Sequence, residues 1–198
     1  MRQKMSIKSI RLLTAIALST QLAACVPVIL GGAAATGVVA ADRRTSGTYI
    51  EDQSIELKAS KNINEQVGDN IHANITSFNR NVLLTGEAFN EESKAQAEQI
   101  VKAIDNVRSV TNEVTIAAKT GFRSRTNDTY LTSKVKARML SARLFPANAV
   151  KVVTENSTVY LMGLVTQQEG DDAVQIARDT DGVEKVVKVF EYIEEPAK

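Results

Sequence analysis

Apolar and polar residues alternate along two stretches of this chain, and each stretch is followed by a partner of the same kind. Ile71 to Phe78 alternates as a half-buried strand, and Val82 to Gly86 continues it as a hairpin across Asn79-Arg80-Asn81. Seventy-odd residues later Val150 to Thr154 and Val159 to Leu164 repeat the arrangement. Helical spacing surrounds both hairpins. In the first half a helix is predicted over about Gln53 to Glu65. Another is capped by Asn90 and runs to about Ile104, with Glu91 and Glu92 at the positive end of its dipole. A strand over about Val110 to Ala117 closes the half. In the second half Asn127 or Asp128 caps a helix to about Leu144, and Pro146 ends that region. Thr166 and Glu169 have capping-box spacing for a helix that stops near Gly182, and a strand follows over about Val186 to Ile193.

The two halves are copies. Asp52-Gln53-Ser54-Ile55-Glu56 corresponds to Asp128-Thr129-Tyr130-Leu131-Thr132, and Asn81 to Gly86 corresponds to Thr158 to Gly163. Asp105 to Val110 returns as Asp181 to Val186. Three blocks in one order define a repeat. Each copy reads helix, strand, strand, helix, strand, which predicts an α+β fold with two helices on a three-stranded sheet. Units this small are marginal alone, so the copies are expected to pack on each other.

Before the repeat the pattern changes. Arg2, Lys4, Lys8 and Arg11 precede an apolar run from Leu12 to Leu22, and small residues follow, as in a secretory signal. Leu12 to Ala41 carries no charge and is long enough to span a bilayer, but Pro27, Gly31, Gly32 and Gly37 make its second half a poor helix. That half reads as a small-residue tether. Leu22-Ala23-Ala24-Cys25 resembles the lipobox of bacterial lipoproteins. The resemblance implies cleavage before Cys25, diacylglycerol on its thiol and an N-acyl chain on its amine. At about 0.8 kcal/mol per buried CH₂, two or more chains make a stable anchor. Val26 in place of Asp at the next position implies the outer membrane. The expected organisation is a signal peptide over 1–24 and a lipidated N-terminus with tether over 25–50. Two domains follow over 51–119 and 120–193, with a short tail over 194–198.

The signal takes four positive charges with it, so the formal balance of +1 becomes −3 in the remaining 174 residues. A weakly acidic chain of that kind lacks the broad basic surface of bulk nucleic-acid binding, and no nucleic-acid partner is expected. Cys25 is the only cysteine and His72 the only histidine, so neither a disulfide nor a zinc site is expected. No nucleophile-elbow sequence is present, and Glu91-Glu92 and Asp171-Asp172 lie where helix dipoles account for them. No catalytic residue, metal or diffusible cofactor is predicted.

The strand endings Leu84-Thr85-Gly86 and Leu161-Met162-Gly163, with the pairs Val107/Val110 and Val183/Val186, resemble those of BON domains. Two such units behind a lipobox are similar to the dual-BON-domain lipoproteins of Gram-negative outer membranes. Asn127 to Val135 and Val150 to Val165 carry that likeness most strongly. It implies phospholipid association and a role in envelope integrity, without an enzymatic reaction.

Charge separates the copies. Between Lys119 and Lys151 lie Lys119, Arg123, Arg125, Lys134, Lys136, Arg138, Arg143 and Lys151 against Asp128 alone, a balance of +7. Glu51 to Glu65 in the first copy has a balance of −2. Leu131, Val135, Met139 and Leu140 form the core stripe of the second copy's first helix. Tyr130, Lys134 and Arg138 make the neighbouring stripe. Tyrosine among headgroups with cations on phosphates suits a bilayer interface. Tyr130, Lys134, Lys136 and Arg138 are therefore the predicted contacts for anionic membrane phospholipid. The competing reading is a periplasmic scaffold for an outer-membrane protein complex. The acidic stretch Glu169 to Lys198, with nine acids and four bases, offers a partner for the patch within the fold. Oligomeric state is left open.

Overall fold

The computed structural model describes residues 42–117 and 122–194, without the side chains of 122–124. Residues 42–194 belong to one compact unit. Its elements are α1 (Ser46–Gln66), β1 (Ile71–Phe78), β2 (Asn81–Ala88), α2 (Glu91–Lys102), β3 (Ser109–Asn112) and β4 (Thr115–Ile116). The second domain supplies α3 (Phe122–Ala142), β5 (Val150–Glu155), β6 (Thr158–Val165), α4 (Gln167–Arg178) and β7 (Lys185–Tyr192). In each domain a hairpin pairs antiparallel and the last strand joins the middle one in parallel, giving orders β1-β2-β3 and β5-β6-β7.

Each helix pair covers one sheet face. Ile55, Ala59 and Ile63 recur every four residues on α1 and pack with Ala97, Ile100 and Val101 over Val82 and Leu84. Val135 and Met139 do the same with Ala173, Val174 and Ala177 over Val159 and Leu161. Both hairpins turn on two residues with positive φ, Asn79-Arg80 and Asn156-Ser157, so Asn81 belongs to β2 rather than to the turn. Such left-handed pairs match the twist of the flanking strands.

The opposite sheet faces meet each other. On β2 Leu83 points away from the helices, on β6 Tyr160, Met162 and Leu164 do, and together with Phe78 they form a third cluster. The two copies thus pack back to back, helices outermost. This explains the unbroken apolar run of β6, whose two faces enter different cores. Polar groups also cross the seam. Asn74 donates to Glu155 at 2.7 Å, Lys151 to Glu56 at 3.1 Å, and Asn79 to Glu191 at 2.8 Å.

Three element boundaries change as well. Helix α1 starts at Ser46, not Gln53, with Thr45 accepting from the Thr48 N–H, so residues 42–50 are part of the folded body rather than tether. Helix α3 starts at Phe122, and Asp128 lies inside it instead of capping it. The strand expected over 110–117 is interrupted: Asn112 Oδ1 accepts the Val114 N–H, and Val114 turns into the core.

Candidate functional site

Helix α3 carries the predicted patch, and its register decides what the patch can do. Leu131, Val135 and Met139 face inward and are buried. Asp128 is inward too, and its carboxylate accepts the backbone N–H groups of Asn156 and Ser157 at 3.0 and 2.9 Å. Asp52 does the equivalent for Asn79 and Arg80 at 2.9 and 2.7 Å. The only acid of α3 is therefore withdrawn from the surface. Every charged side chain that α3 presents to solvent, among the described residues, is positive.

Lys134 and Arg138 lie together on the flank toward α4. Lys134 Nζ donates to the Asp181 carbonyl at 3.1 Å and lies 3.5 Å from its carboxylate. Arg138 Nη1 donates to the Asp179 carbonyl at 2.7 Å. These carbonyls follow the end of α4, where cations compensate the negative end of the dipole. The two side chains thus hold α4 in place while remaining partly open to solvent. Tyr130 belongs to the same stripe and is 62% exposed.

Lys136 does not join them. Two residues on from Lys134, it projects from the opposite flank into a groove lined also by Asp42, Arg44, Phe78, Leu140 and Lys151. Lys151 is engaged by Glu56 and the Ser77 carbonyl, whereas Lys136 is exposed and forms no ion pair among the described residues. Leu140 was expected in the core stripe but is 67% exposed, and Leu144 beyond the helix is 58% exposed. The stripe 131, 135, 139 already fills the inward face, so the next residue turns out. That one-residue offset was the available signal. Tyr130 on the Lys134–Arg138 flank and Leu140 in the Lys136 groove thus leave apolar surface exposed on both flanks of α3, with Leu144 exposed beyond its end. Cys25 and Lys119 lie outside the described residues, as does the side chain of Arg123.

Among the described residues, no cluster of His, Cys, Asp and Glu could hold a metal ion, and no helix is long and apolar enough to cross a membrane. One buried carboxylate is perturbed. Burial pushes the Glu155 carboxyl above its usual range, with Glu87 and Asp128 adding to it against hydrogen bonds from Asn74 and Thr85. Beside it, burial and the charges of Glu113 and Glu155 push the Tyr160 phenol up to about 12.

Two helix-covered sheets of one repeated topology, packed back to back, define a tandem α+β repeat. The chain belongs to the BON domain family, which matches residues 51–118 and 127–194. It is 37% identical over 175 residues to outer membrane lipoprotein DolP of Haemophilus influenzae, spanning 87% of this chain and 91% of that protein. It is 30% identical to the 21 kDa hemolysin of Actinobacillus pleuropneumoniae over 77% of this chain and 80% of that one. Osmotically-inducible protein Y of Escherichia coli is 32% identical over 71% of this chain and 72% of its own length.

Proposed function

We propose that this protein is an outer-membrane lipoprotein, held by acyl chains on Cys25 and facing the periplasm. Its second domain associates with anionic phospholipid through α3 and so supports envelope integrity. The lipobox and the likeness to an outer membrane lipoprotein over most of both chains support the anchoring. The burial of Asp128 under its hairpin carries the lipid reading, because it leaves α3 with a wholly cationic exposed charge beside Tyr130, Leu140 and Leu144. Each cation near an anionic bilayer contributes about 1 kcal/mol, weakened by salt. Such a contribution is small in solution, yet it orients a domain that an anchor already confines to the surface. The chemistry is binding rather than catalysis.

The test is sedimentation of soluble protein, beginning after residue 25, with phosphatidylglycerol-containing or purely zwitterionic vesicles across a salt series. Binding is expected only to the anionic vesicles, falling as salt rises. Equal binding to both vesicle types, or binding unaffected by Lys136→Glu, overturns the lipid reading. Crosslinks from α3 to a protein in intact cells, without vesicle affinity, would favour the scaffold.

A further inference from the structure

Two consecutive arginines at the start of the folded body reach in opposite directions. Arg43 meets the second domain: its guanidinium is bidentate on Glu169, at 2.6 and 2.7 Å, and also donates to the Leu164 carbonyl at 2.7 Å. Arg44 meets the first domain: it donates to Asp52 at 2.9 Å and is braced by Asp42 at 2.8 Å. Its guanidinium lies 4.0 Å above the Phe78 ring and 5.2 Å from the Tyr49 ring. Phe78 and Leu164 both belong to the cluster where the two sheets meet. We infer that Asp42–Arg44 is a strap that fastens the two domains across their seam, so the chain leading to the anchor joins the body at both domains at once.

Several features make the strap more than a surface pairing. The Arg44 side chain is 8% exposed and that of Asp52 2%. Paired charges this deeply buried are costly to separate. Planar guanidinium groups suit the bidentate and stacked geometries seen at both residues. Asp52 is the carboxylate that closes the Asn79-Arg80 turn, which ties the strap to the first hairpin. Glu169 is the third residue of α4 and completes its capping box with Thr166, which ties the strap to that helix. The seam has need of extra fastening. It contains Glu87, whose Oε2 is buried without a hydrogen-bond partner among the described residues, and Glu155, packed near it. A sheet interface with such groups gains less from burial than an apolar one.

The inference does not depend on lipid binding and is tested on the full-length acylated protein in detergent. Acylation occupies Cys25, so Met162→Cys supplies one thiol, buried in the seam, whose maleimide labelling reports seam opening. Ala97→Cys, buried between the first sheet and its helices, reports opening of that core. Arg43→Ala should speed labelling at position 162 about tenfold while leaving position 97 unchanged, as a local opening does. Unchanged labelling at 162 in Arg43→Ala, or an equal rise at 97, overturns the strap. If Arg43→Ala does not fold, Arg43→Lys keeps the charge but loses the bidentate grip, and a smaller rise confined to 162 is expected.

Discussion

Asp52 and Asp128 occupy equivalent positions on the first helices of the two domains, and each closes the hairpin of its own domain. Their carboxylates accept both N–H groups of a two-residue turn whose members have positive φ. None of these turn residues is glycine, so the conformation is held by the aspartate rather than by backbone freedom. Asp128→Ala removes the charged acceptor of two turn N–H groups and should cost about 2 kcal/mol in urea unfolding. Asp128→Asn should cost less. Asp52→Ala should exceed both, because Ser77 and Arg44 lose the same acceptor.

Gly86 and Gly163 end the family signature for a steric reason. A Cβ on Gly86 would sit 2.0 Å from the His72 carbonyl oxygen, and one on Gly163 would sit 2.4 Å from that of Ala149. Backbone on a paired strand cannot retreat cheaply. Either glycine changed to alanine should destabilise its domain by about 3 kcal/mol or more, measured as a lower unfolding midpoint. Gly86→Ala should be the worse, since its φ of +112° is also unfavourable for alanine.

Much of the fold was legible because each domain repeats the same local signals. Asn90 and the Thr166–Glu169 box capped the helices they were assigned to. The errors fall where a distant partner decides. Asp128 looks like a helix cap in sequence, yet its acceptor oxygens serve a turn 28 residues away. Ser46 and Gly47 look like linker, but Arg43 and Arg44 dock beside them through contacts as far as Glu169. The candidate site was legible in composition and less so in geometry. Tyr130, Lys134 and Arg138 do share a stripe, whereas Lys136 sits on the other flank. Leu140 and Leu144 were not distinguished as surface residues.

The seam should respond to pH through Glu155. Its carboxyl is held above the usual value of 4.5 by burial and neighbouring acids. A raised folded value means that the protonated form is the one the fold favours. Its stabilising contribution is complete below 4.5 and is lost as pH rises through the elevated value. Glu155→Gln should therefore raise the thermal midpoint at pH 7.5, with the gain shrinking as pH falls through the elevated value and gone below 4.5. An equal gain at both pH values would dismiss the carboxylate as its source.

The strap titrates with the opposite sign. Hydrogen bonds from Arg43 hold the Glu169 carboxyl below its usual range of 4.5, against the opposing effect of burial. That stabilisation is present above 4.5 and is lost as pH falls through the lowered value. Arg43→Ala should lower the thermal midpoint at pH 7, and its effect should shrink as pH falls below 4.5 and through the lowered Glu169 value.

The cations of α3 should divide into two kinds. Lys134→Glu and Arg138→Glu remove contacts to the Asp181 and Asp179 carbonyls, so thermal stability should fall by about 1 kcal/mol along with vesicle affinity. Lys136→Glu has no such contact to lose. It should weaken binding to anionic vesicles several-fold, on the order of the 1–2 kcal/mol that reversing one charge implies, with an unchanged unfolding midpoint.

The back-to-back sheets have a consequence for how such a protein comes to exist. A lone copy would leave the Leu83 or Met162 face open, and would cover it only when another copy was abundant enough to collide with it. Joining the copies in one chain replaces that dependence with an effective concentration set by their covalent connection, in the millimolar range for short connectors. Once partnership was guaranteed, the two faces were free to diverge. One now offers Leu83, Thr85 and Glu87, and the other Tyr160, Met162 and Leu164. Neither face is now a copy of the other, so a duplicate of the first domain would be a poor substitute for the second.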